Sequence, residues 1–134
     1  MDDGTGRIEP IDPLRSPCPV AATLDVLGDR WTMLVIRDMF AGKRRYTEFL
    51  ASPERITTNI LADRLRRLER VGIVYTATYQ DNPPRREYLL TDSGKQLRPV
   101  LAALARWGTA HIPGTVDTAT ALTTLRQTRD AETG

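Results

Sequence analysis

Covalent and metal chemistry has little to work with in this chain. Its one thiol, Cys18, and one imidazole, His111, lie 93 positions apart in the sequence. No clustered His/Cys set offers a zinc site, no glycine loop is spaced to cradle phosphate, and no nucleophile elbow is present. The sequence therefore predicts no catalytic set, no metal and no cofactor. The side chains that could do chemistry together are basic and amide groups between residues 57 and 70. Wound as a helix, this stretch puts Leu61, Leu65 and Leu68 on one stripe. Asn59, Asp63, Arg66 and Arg70 turn to the opposite side, with Arg67 at its edge. Such a face can pair with phosphates, and an Asn can donate and accept together at the N6 and N7 edge of adenine.

That chemistry depends on the neighbouring elements. Thr57 is placed to cap the helix, leaving Thr58 and Asn59 near its exposed start and Gly72 to end it. Arg64 lies nearer the apolar stripe and suits an ion pair or a packing stem. Arg64, Arg67 and Arg70 also flank Asp63 and Glu69, so intrahelical pairing competes for part of this ladder. Ahead of it, Tyr46 to Ala51 forms a short helix with Phe49 and Leu50 inward, and a turn at Ser52-Pro53-Glu54-Arg55 joins the two. Lys43, Arg44 and Arg45 precede this pair and suit contact with a phosphate backbone; a solvated loop is the alternative for each. After Gly72, Ile73 to Tyr79 reads as a strand. Gln80 to Pro84 is a turn-rich break, and Arg85 to Leu90 is a second strand. Arg85 and Arg86 beside the tip would flank a groove, or serve only as edge charges. Helix, turn, helix and hairpin in this order predict a mainly α fold with a small β-hairpin, a winged helix-turn-helix. Its ligand would be double-stranded DNA.

Composition agrees through its distribution. The net charge of +2 is modest, but residues 42–88 hold ten Lys or Arg against six Asp or Glu. The positive charge thus gathers where the fold would meet phosphate. The 134 residues suit one domain. A single cysteine fits a reducing compartment. No apolar run approaches the roughly 18 residues that span a bilayer, and the N-terminus lacks signal-peptide features. A cytoplasmic protein with no membrane partner is expected.

Residues 1–16 read as a mobile arm, 17–112 as the folded domain, and 113–134 as a tail in which Leu122 and Leu125 offer at most a weak helix. Pro19 to Leu27 predicts a helix with Val20, Leu24 and Leu27 on one face. Trp31 to Phe40 predicts a central one, with Leu34, Val35 and Met39 inward. Thr91 would cap a last long helix running to about Ala110. Its stripe of Leu97, Leu101, Leu104 and Trp107, with Val100 alongside, either folds back on the core or meets a second copy. The second is favoured, because a dimer matches two half-sites about one DNA turn apart.

With these elements placed, the sequence resembles the HxlR-type winged-helix regulators, relatives of the MarR type. The resemblance rests on Cys18-Pro19-Val20 leading into Leu27-Gly28-Asp29-Arg30-Trp31-Thr32, on Tyr46-Thr47-Glu48-Phe49, and on Leu61-Ala62-Asp63-Arg64-Leu65-Arg66-Arg67-Leu68-Glu69. Pro83-Pro84-Arg85-Arg86-Glu87-Tyr88 and Leu90-Thr91-Asp92-Ser93-Gly94 complete it. It implies a homodimeric DNA-binding regulator, a repressor by expectation, with N- and C-terminal helices at the dimer interface, Val20 and Leu24 among them. It also implies a place for a small-molecule effector between the terminal helices and the DNA-binding core. Cys18 would be a redox switch by the same resemblance; a small buried apolar residue is the alternative. The turn before Ile56 departs from the family's usual Ile-Pro-Gly-Ile, and Ala62 stands where a hydroxyl or amide is common. A winged helix used only for protein contact is the competing function.

Overall fold

The computed structural model describes residues 7–10 and 14–117. The elements in order are α1 (Pro19–Leu27), α2 (Thr32–Phe40), α3 (Tyr46–Leu50), α4 (Thr58–Val71), β1 (Val74–Asp81), β2 (Pro84–Leu90), α5 (Asp92–Lys95) and α6 (Arg98–His111). The core collects one face from each central element: Leu27, Val35, Ile36, Met39, Phe49, Ile56, Leu61, Leu65, Leu68, Ile73 and Val74. On α2 the buried face runs Thr32, Val35, Ile36 and Met39, so Ile36 lies deeper than the expected Leu34, which is half-buried.

The boundaries follow local chemistry. Pro19 opens α1, where a missing N–H is not needed. Asp29 accepts from the amides of Trp31 (3.0 Å) and Thr32 (3.2 Å) and from the Thr32 hydroxyl, serving the free N–H groups at the start of α2. The Thr57 hydroxyl accepts from the Ile60 amide at 3.4 Å, capping α4 as expected. Gly72 closes α4 at φ 91°, a left-handed cap that suits glycine.

The hairpin is longer than the sequence suggests. β1 continues through Gln80 to Asp81 and pairs antiparallel with β2 from Val74↔Leu90 to Asp81↔Pro84. An irregularity between Thr78 and Gln80 leaves Tyr79 outside the pairing, and the extra residue lets the strand carry on to the tip. The Tyr88 amide donates to the Arg44 carbonyl at 2.8 Å, which ties the loop before α3 to the hairpin.

One expectation is corrected here. The single helix from Thr91 to Ala110 is two helices, broken at Gln96 and Leu97. Pro99 is the cause: within one continuous helix its ring would collide with the Lys95 carbonyl, whereas in the first turn of α6 it costs nothing. Ile8 packs against the core and the Glu9 amide donates to the Val71 carbonyl at 2.9 Å. The suggested helix around Leu122 and Leu125 lies outside the described residues. Among the described residues no helix is long and apolar enough to cross a membrane.

Candidate nucleic-acid interface

Helix α4 separates its two faces cleanly. Leu61, Leu65 and Leu68 are buried, whereas Thr57, Thr58, Asn59, Arg66 and Arg70 are exposed and Arg67 is half-exposed. The start of α4 is held from below: the Tyr46 hydroxyl donates to the Thr58 carbonyl at 2.5 Å, joining α3 to the turn that presents Thr58 and Asn59.

The turn between α3 and α4 is fixed by charge. Arg37 on α2 donates to both oxygens of Glu54, each at 2.8 Å, in the forked geometry of a guanidinium–carboxylate pair. Arg37 also donates to Asp38 at 2.9 and 3.1 Å, and the buried Asp38 accepts from the Ser52 hydroxyl. The bond to Arg37 holds the Glu54 carboxyl below the usual carboxylate range, and Glu54 in turn raises the Arg37 guanidinium above its ordinary value. At Arg55 the backbone takes φ 61°, so this turn makes with arginine a left-handed bend that glycine usually supplies.

Of the three consecutive cations, Lys43 is directed inward. Its ammonium donates to the Ser52 hydroxyl at 3.1 Å and lies 3.8 Å from Asp38. Arg44 and Arg45 are exposed, and both approach the Glu87 carboxylate, at 3.9 and 3.6 Å. Arg45 also lies over the Tyr79 ring, 4.1 Å from its centroid, a cation–π contact between the α3 entrance and the hairpin. Glu48 reaches back to the Arg45 and Arg44 amides at 2.8 and 3.1 Å and fixes the backbone there. Arg85 and Arg86 are exposed at the start of β2 beside the Asn82-Pro83 tip.

Asp63 is half-exposed, and Arg64 beside it donates to one of its carboxylate oxygens. The second bond from Arg64, Nε to Asp29 at 2.7 Å, crosses from α4 to the α1–α2 corner, the ion pair expected of that position. Burial by itself would raise the Asp29 pKa; the bonds from Thr32, Arg64 and the Trp31 amide outweigh it and hold the carboxyl at about 2.

The contacts made by Tyr79, Glu87, Asp29 and the Arg37–Glu54 fork are the features of this surface that the sequence did not single out. Asp29, placed just ahead of a helix start, carried a readable capping signal. The others depend on contacts between distant segments.

On the apolar side, Val20, Leu24, Val100, Leu104 and Trp107 are exposed, while Leu101 is half-buried. Leu97 differs: it packs against the chain's own core, so the stripe divides between an inner anchor and an outer face. Cys18 is exposed at the N-cap of α1 in the single chain. His111 places Nδ1 3.1 Å from the Trp107 carbonyl and stacks on its ring, 4.8 Å between centroids.

The HxlR-like helix-turn-helix model matches residues 26–115, which span α2 to α6 and the hairpin between them. The chain belongs to this family. Among its relatives in Bacillus subtilis are two uncharacterised HTH-type transcriptional regulators. YybR is 39% identical over 101 residues, covering 75% of this chain and 81% of the relative. YdeP is 38% identical over 91 residues, 68% of this chain and 71% of the relative. Among solved structures, the redox regulator HypR in its reduced form superposes with a TM-score of 0.65 at 38% identity, covering 71% of this chain and 94% of that one. The reduced form of the transcriptional regulator YodB from B. subtilis gives 0.62 at 27% identity, covering 75% and 100%. This HxlR-like chain is thus a winged helix-turn-helix transcriptional regulator, of a family of DNA-binding regulators and not of enzymes.

Proposed function

We propose that this regulator reads a pseudo-palindromic operator as a homodimer and represses transcription from it. The exposed amide, hydroxyl and basic groups at the start and outer face of α4, opposite a fully buried leucine stripe, carry the reading. Thr58 and Asn59 would meet base edges in the major groove, and Thr57, Arg66 and Arg67 the groove wall and phosphates. Arg85 and Arg86 would follow the adjacent backbone, and Arg44 and Arg45 would exchange Glu87 for phosphate.

Two routes of release fit the same frame. A groove of about 1030 Å³ lies between the loop before α3, the hairpin and the α5–α6 corner. Its walls carry Lys43, Arg44, Arg45, Lys95 and Arg98 against Glu48 and Glu87, so an anionic effector suits it better than a cationic one. Thiol oxidation at the exposed Cys18 is the other route, in keeping with HypR being a redox regulator.

The test is retention of the protein's own upstream DNA at two salt concentrations, with and without a mild thiol oxidant. Retention that weakens with salt supports the reading, and release by oxidant assigns the switch to Cys18 if Cys18→Ser is insensitive. Arg66→Glu and Arg85→Glu should each abolish retention while leaving the melting temperature within about 2 °C, as surface changes do. Retention that survives both overturns the groove-and-wing arrangement. No retention by the wild type at low salt favours a protein-contact module.

A further inference from the structure

We propose that Arg64, although it stands on the recognition helix, does not contact DNA. It is a positioning residue that braces α4 against the α1–α2 corner and so sets the distance between the two half-sites. This inference rests on the homodimeric DNA-binding reading above.

The geometry is that of a strut. Arg64 lies in the middle of α4 with only 20% of its side chain exposed, while Arg66, about 200° further round the helix, is open to solvent. Its Nε donates to Asp29 at 2.7 Å and a terminal nitrogen donates to Asp63. One guanidinium between two carboxylates has no charge left over for phosphate. Asp29 is itself held at several points: it accepts the Trp31 and Thr32 amides and the hydroxyl of Thr32, a residue only 2% exposed. Just before it, Gly28 passes so close to the Leu24 carbonyl that a Cβ there would sit 2.3 Å from that oxygen. The corner is therefore tightly built, and α1 leads directly from it to Leu24 and Val20, on the face assigned to the second copy. The Arg64–Asp29 bond is thus a short polar link between the helix that reads DNA and the helix that fixes the dimer.

A link of this kind acts on spacing. Without it, α4 keeps its leucine stripe in the core but loses its lateral tie to the dimer frame, and the two recognition helices no longer hold one separation. The experiment measures affinity for the operator mapped by footprinting on the protein's own upstream region, and for the same operator with one base pair inserted between the half-sites. Wild type, Arg64→Ala, Asp29→Asn and the double variant are compared across a salt series. Asp29→Asn keeps the oxygen that caps α2, which is also the one Arg64 Nε reaches, and removes the carboxylate charge. It thus weakens the link while sparing the cap and stands in should Arg64→Ala fail to fold; melting curves decide that.

The strut predicts that each single variant binds the native operator about tenfold more weakly, a reasonable effect for two groups sharing one network. It also predicts that the preference for native spacing collapses, that the salt slope stays at the wild-type value, and that the double variant is no worse than either single. A merely destabilised fold would not alter the spacing preference. A salt slope reduced by about one, the mark of a lost phosphate contact, with additive losses in the double variant, overturns the proposal. So does a spacing preference that survives both substitutions. Failure of the wild type to bind any DNA would instead strike the underlying reading.

Discussion

Arg55 shows how one residue can carry the strain of a motif. Its backbone lies at φ 61°, and its amide donates to the Ser52 carbonyl at 3.0 Å to close the turn between α3 and α4. A left-handed L-residue costs about 1–2 kcal/mol, because Cβ crowds the following carbonyl. Glycine escapes that cost but gives up roughly 0.5–1 kcal/mol of chain entropy. Arg55→Gly should therefore raise stability by up to about 1.5 kcal/mol, read as a higher melting temperature; a lower one would mean that the arginine side chain makes a contact worth more than the strain. The sequence showed a departure from the family's Ile-Pro-Gly-Ile loop here, but not that the bend itself survives the loss of glycine. The same boundary separates the basic residues. Helical periodicity was enough to part Arg64 from Arg66, since both sit on one regular element. It could not orient Lys43, Arg44 and Arg45, whose directions are decided by Asp38, Ser52 and Glu87 on other segments.

Elements meet most tightly where the hairpin returns to α4. The Thr91 hydroxyl donates to the Gly72 carbonyl at 2.6 Å and its amide to the Ile73 carbonyl at 3.0 Å, while the same hydroxyl caps Gly94 at 3.2 Å. The short helix α5 is thereby pressed onto the start of β1. A Cβ added at Gly94 would lie 2.4 Å from the Ile73 carbonyl oxygen and 3.0 Å from a Leu90 methyl. Backbone cannot rotate away as a side chain does, so α5 would have to lift. Gly94→Ala should cost about 1–3 kcal/mol, the usual scale of overpacking, visible as an earlier midpoint in urea unfolding. An unchanged midpoint would show that α5 moves freely. Thr91 as a cap could be read from the sequence, because capping is local. The break after α5 carried a local signal as well, in Pro99, but the unbroken apolar stripe from Leu97 to Trp107 ran across it. The stripe is genuine on both sides of the break; it serves the core at Leu97 and leaves the molecule at Leu104 and Trp107.

At the scale of the molecule, α6 is the element that the described residues alone do not explain. None of its residues is buried, and Leu104 and Trp107 stand 54% and 61% exposed. A helix of 14 residues is marginal in water without packing on one side. Leu24 and Val20 on α1 are likewise exposed, at 54% and 65%, so both terminal helices carry apolar surface with no cover from the described residues. A second copy would bury each of these side chains twice, once per subunit, at roughly 1.5–3 kcal/mol for a fully covered large apolar side chain. If that is what holds α6, folding and association are linked, and the wild-type melting temperature should rise with protein concentration. Leu104→Asp would place a carboxylate at the centre of the contact and should yield a monomer by sedimentation, with a melting temperature lower than the wild type and independent of concentration. Operator affinity should fall with it, since a monomer holds one half-site and loses the gain from tethering the second. A variant that stays dimeric with unchanged affinity would place the interface elsewhere. The Arg64–Asp29 link would then join the reading helix to a corner that frames no partner.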